Sequence, residues 1–118
     1  MNMVFVGIGG AVGAILRYLI SMLPVRTEFP VLTFATNILG AFSIGLIVAS
    51  AKKYNLSDSV VLMLKTGVCG GFTTFSTFSL EAYNLIESGK PGMGMIYAVL
   101  SLVFCVTAVF LGEMLIGR

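Results

Sequence analysis

The chain has 118 residues, 58% of them hydrophobic and only 10% charged, with a formal net charge of +2 at pH 7. So few charges cannot clothe a soluble domain of this length, and the composition describes one membrane domain. The small, scattered positive charge gives no footing for a nucleic-acid partner, and the absence of histidine excludes imidazole metal sites and histidine-based catalysis.

The first apolar segment runs from about Asn2 to Leu23 and is closed by Pro24. It lacks a positive leading region, and Arg17 falls where a cleavable signal would still be apolar, so it reads as a retained span. A second segment starts at Val31, after Pro30, and ends at Ala51 before Lys52-Lys53-Tyr54-Asn55. The third opens on the helix-start signal Ser57-Asp58-Ser59 and continues to about Glu87. The fourth follows Gly89-Lys90-Pro91-Gly92 and ends near Ile116. Spans at about 2–23, 31–51, 57–87 and 92–116 predict an all-α integral membrane protein of four transmembrane helices. Short connections make neighbouring helices antiparallel.

The third span is too long for the membrane. As a straight helix it would reach about 46 Å at ~1.5 Å per residue, against a hydrocarbon core of ~30 Å. Its midpoint is Phe72, and Gly67, Gly70 and Gly71 make a break near 67–76 inexpensive. Backbone freed at that depth persists only where it is buried in protein, lines water or binds an ion. The competing reading is that the glycines only let helices approach closely. That suffices for Gly9 and Gly13, but it does not account for the hydroxyls of Thr73, Thr74, Ser76, Thr77 and Ser79.

With the N-terminus inside, Lys52, Lys53 and Arg118 are cytoplasmic and Arg26 and Lys90 external. This bias is close to none, which favours insertion in both orientations and an antiparallel dimer. Cys69 and Cys105 lie within apolar segments and read as small buried thiols.

No span carries paired carboxylates or a nucleophile with its base, so the chain is not an enzyme, and transport is the natural use of its intramembrane polar residues. Thr33 and Asn37 share one face of the second helix, either as donors to an anion or as an interhelical hydrogen bond. Tyr97, Ser101 and Cys105 form a donor stripe on the fourth helix, or an incidental one. Phe75 and Phe78 are packing residues or present their positive ring edges to a small anion. A ring edge binds without the full charge that would trap a conducted ion. Arg17 either concentrates anions in a vestibule or pairs with a carbonyl or acid. Glu81 pairs with a cation, marks a mouth, or couples transport to protons.

The segments GGAVGAILRY (9–18), TNILGAF (36–42) and GVCGGFTTFSTFSLE (67–81) closely resemble the Fluc/CrcB family of fluoride channels, over essentially the whole chain. The resemblance implies a dual-topology antiparallel homodimer in a prokaryotic plasma (inner) membrane, with two pores exporting fluoride passively and relieving its toxicity. It implies that Phe75 and Phe78 are the ring-edge residues of the pores, with Asn37 the pore-facing amide and Thr33 beside it. Ser76 and Thr77 would supply hydroxyls, Tyr97 and Ser101 a polar track, and Glu81 the acid after the motif. It further implies a central structural sodium ion held by the backbone carbonyls of Gly70 and Thr73 from both subunits. Cys105 stands where a hydroxyl is expected. The alternative is a proton-coupled exporter resembling the small multidrug transporters. Those need a carboxylate deep in the first helix, which this chain lacks.

Overall fold

A computed structural model describes residues 2–117. Helix α1 spans Asn2–Ser21 and α2 spans Val31–Tyr54. The third span is divided into α3 (Asp58–Val61), a π-helical stretch (Leu62–Cys69), α4 (Gly70–Phe72) and α5 (Phe75–Glu87), and α6 (Pro91–Ile116) completes the chain. Three helices, α1, α2 and α6, are each long and apolar enough to cross a bilayer. The third crossing is made in two pieces, residues 58–72 and 75–87, of about 22 and 20 Å by helical rise. The expectation of four helical spans with a broken third therefore holds.

Local chemistry sets the ends. The Ser57 side chain accepts from the Val60 N–H and starts α3. Asn55 ends α2 in the left-handed region, φ 54°, returning its N–H to the Ala51 carbonyl. Pro91 occupies the first turn of α6, where its missing N–H costs nothing.

The break falls on two threonines rather than on the glycines. Thr73 (φ −88°, ψ 156°) and Thr74 (φ −148°, ψ 118°) are extended, a conformation β-branched residues favour. Gly70 is helical, φ −63° and ψ −37°. Gly67 and Gly71 instead serve close packing: a Cβ on Gly67 would lie 2.9 Å from the Gly9 Cα, and one on Gly71 2.5 Å from the Gly10 carbonyl oxygen. Gly9 and Gly13 complete this contact from α1, whose own Cβ positions are filled by the backbone of residues 63–72. On the other side of the molecule, a Cβ on Gly45 would meet the Val109 carbonyl, and one on Gly112 the Phe42 carbonyl. Lipid supplies no hydrophobic drive between helices, so backbone proximity of this kind holds them together.

The break also changes partners. Residues 58–72 lie along α1, whereas α5 lies against α6, and α2 packs mainly along α6 while touching both halves. Tyr97 is the one large side chain among the described residues that is fully buried.

Candidate functional site

At the break, helix α4 ends with carbonyls that no following turn can satisfy. The Cys69 carbonyl accepts both the N–H and the hydroxyl of Thr73, at 2.9 and 2.8 Å. From α1, Arg17 Nε donates to the Gly71 carbonyl at 3.2 Å. From α2, Asn37 grips Thr74 twice: its Oδ1 accepts the Thr74 N–H at 2.9 Å, and its Nδ2 donates to the Thr74 carbonyl at 3.3 Å. The Thr74 hydroxyl then accepts the Thr77 N–H at 3.1 Å and starts α5. The carbonyls of Gly70, Phe72 and Thr73 receive no hydrogen bond among the described residues. Gly70 is exposed, and a Cβ there would find nothing nearer than 3.9 Å.

One helical turn further along α5 lies a second cluster. Glu81 accepts from the Thr33 hydroxyl (3.1 Å) with one oxygen and from the Tyr97 hydroxyl (3.0 Å) with the other. Three helices thus converge on one carboxylate. The Phe78 ring packs on Tyr97 at 4.9 Å between centroids, and Phe29 and Phe34 wall the other sides of Tyr97 at 5.3 and 6.4 Å. A groove of about 400 Å³ opens beside the cluster, lined by Thr27, Glu28, Phe29, Thr33, Glu81 and Asn84 among others. At its rim Lys90 pairs with Glu28.

The sequence-predicted residues distribute over these features. Thr33, Glu81, Tyr97 and Phe78 come together in the second cluster. Asn37 and Arg17 meet the break, each on backbone. Ser101 sits a turn along α6 from Tyr97, 7% exposed, its hydroxyl buried without a hydrogen-bond partner among the described residues. Cys105 follows it, part-buried, and both cysteines are free thiols. Phe75 stands apart: it touches Phe78 at 5.6 Å but is 79% exposed at the middle of the span. Ser76 is likewise exposed, and Thr77 is placed by its backbone bond to Thr74. Sequence reasoning missed two parts, the capping role of Thr74 and the aromatic wall of Phe29 and Phe34. A threonine ahead of an apolar helical run is a legible start signal; nothing in the sequence marks the two rings.

A family model described as CrcB-like protein, Camphor Resistance (CrcB), matches residues 4–113. The chain belongs to the CrcB family. It is 48% identical to a fluoride-specific ion channel FluC of Ruminiclostridium cellulolyticum, covering 98% of this chain and 92% of that protein. The corresponding protein of Agrobacterium fabrum is 45% identical over 100% of this chain and 97% of its own length. That of Methanococcus aeolicus is 35% identical over 97% and 94%. The expectation of a non-enzymatic, multi-pass membrane protein holds with this membership.

Proposed function

We propose that the chain is a passive, fluoride-selective channel that exports fluoride from the cytoplasm across a prokaryotic plasma membrane, working as an antiparallel homodimer of one four-span unit. The observation that carries the reading is the broken third span with a sequestered polar cluster behind it, in a chain whose full-length relatives bear the name fluoride-specific ion channel. In this reading Phe75, Phe78, Asn37 and Thr33 line the path, together with the hydroxyls of Ser76, Thr77, Tyr97 and Ser101, and Glu81 and Arg17 border it. Asn37 spends one amide hydrogen on Thr74 and keeps the other for an anion. The Ser101 hydroxyl, buried and unspent, is a donor in want of an acceptor.

Two features of the protomer support a second copy. Phe75 projects from it at mid-span. The unpaired carbonyls beside the exposed Gly70 lie at a depth where lipid has no donors for them. Carbonyl oxygens in such a position fit a hard monovalent cation. Gly70 and Thr73 would hold a structural sodium, shared with the partner, that neutralises the oxygens and ties the two breaks together.

The test is efflux from liposomes loaded with fluoride and chloride, each followed by its own electrode. Expected is rapid loss of fluoride with chloride retained and no need for a proton gradient. Phe75→Ile and Phe78→Ile should each cut that rate at least tenfold while the dimer persists on size exclusion. Well-folded dimers that pass no fluoride would overturn the reading.

A further inference from the structure

Arg17 and Asn37 reach the break from different helices, and each takes a different carbonyl: Gly71 for Arg17, Thr74 for Asn37. What remains for a cation is set by what these two side chains occupy. Asn37 is neutral; Arg17 brings a permanent charge. Its approach is built into α1. Gly10, Gly13 and Arg17 follow one another along one helix face, and the missing Cβ atoms of Gly13 and Gly71 bring α1 onto the backbone of residues 68–72. Arginine on a helix points back toward the N-terminus, which lays the guanidinium over the last turn of α4. The carbonyl end of the helical run 58–72 and its unpaired carbonyls favour a cation there.

We propose that Arg17 is a positioning residue for the cation site at the break, acting as a tethered cation that withholds the Gly71 carbonyl and opposes over-binding at Gly70 and Thr73. The proposal rests on the sodium reading above and extends it. With Arg17 in place, the site offers fewer oxygens and a neighbouring positive charge. It therefore holds a small monovalent ion only weakly. Arg17 is here an occupant of the break rather than an anion attractor in open water.

The experiment reads stability, not conduction. Purified protein in sodium-free buffer, with ionic strength held by an organic cation, is titrated with sodium or potassium while thermal unfolding is followed by circular dichroism. Arg17→Met should need roughly three- to tenfold less sodium than the wild type for half-maximal stabilisation, the range set by a unit charge removed from beside the ion. Potassium should likewise stabilise this variant at a lower concentration than it needs with the wild type. Arg17→Lys keeps the charge and should keep the wild-type sodium requirement. If Arg17→Met does not purify, Arg17→Gln retains an N–H donor without the charge and should show the same shift. Equal sodium midpoints in wild type and neutral variants overturn the assignment. A wild type indifferent to sodium overturns both the cation site and this role, while fluoride efflux from the same preparation judges the channel reading separately.

Discussion

The amide of Asn37 meets both the N–H and the carbonyl of Thr74, and so stands in for a neighbouring strand where no strand exists. Both backbone groups sit at membrane depth, where the alternative partner is hydrocarbon. Asn37→Ala removes the two bonds at once. It should cost about 2–4 kcal/mol, the penalty of two polar groups left unsatisfied, and lower the melting temperature measured by circular dichroism. Asn37→Asp should not recover that loss, because a carboxylate faces the Thr74 carbonyl without a donor and its charge is costly to bury at this depth. Equal stability of all three proteins would mean that the clamp holds nothing. Glu81 shows a related economy. Each of its oxygens has one hydroxyl donor, so the side chain is held in place without a cationic partner among the described residues.

Helices here are joined through absent side chains. The α1 contact with residues 58–72 and the α2 contact with α6 both pass through glycines whose Cβ positions are already taken by backbone. Gly112→Ala drives a methyl into the Phe42 carbonyl and should destabilise the protein by about 1–3 kcal/mol. Gly7→Ala, where nothing among the described residues lies within 4 Å, should leave thermal unfolding unchanged or raise it slightly, since a helix favours alanine over glycine; the pair of melts checks packing against composition. These contacts explain what was legible in the sequence and what was not. Hydropathy and length announced the spans and the excess length of the third, because both follow from bilayer thickness. The glycines of 67–71 drew attention to the right stretch for a partly wrong reason. Gly67 and Gly71 yield to α1, and the departure comes at Thr73–Thr74. A glycine needed for proximity and one needed for a bend look alike until the neighbouring helix is known. The convergence of Thr33, Glu81 and Tyr97 was hidden for a similar cause: residues 48 and 16 positions apart meet only after three helices have packed.

At the scale of the molecule, the ends carry a nearly even charge. Lys52 and Lys53 mark one side, with Lys53 Nζ donating to the Ile116 carbonyl, and Arg26 and the Glu28–Lys90 pair mark the other. A chain with no electrical preference inserts both ways. Tyr54→Cys, at an exposed position in the last turn of α2, should be labelled from outside intact cells by an impermeant thiol reagent in about half of the copies. Adding two lysines beside Lys52 should drive that fraction toward zero and, with it, fluoride efflux. Labelling that is complete or absent in the unaltered charge background would rule out dual topology.

The order of the chain gives the break an assembly history. Neither half of the third span, at 15 or 13 residues by its range, is long enough to enter a membrane by itself. The two halves therefore have to cross as one span. Synthesis runs from the N-terminus, so α1 and α2 emerge from the ribosome before residues 70–74 do. Arg17 and Asn37 are already waiting when the carbonyls of Gly71 and Thr74 come free.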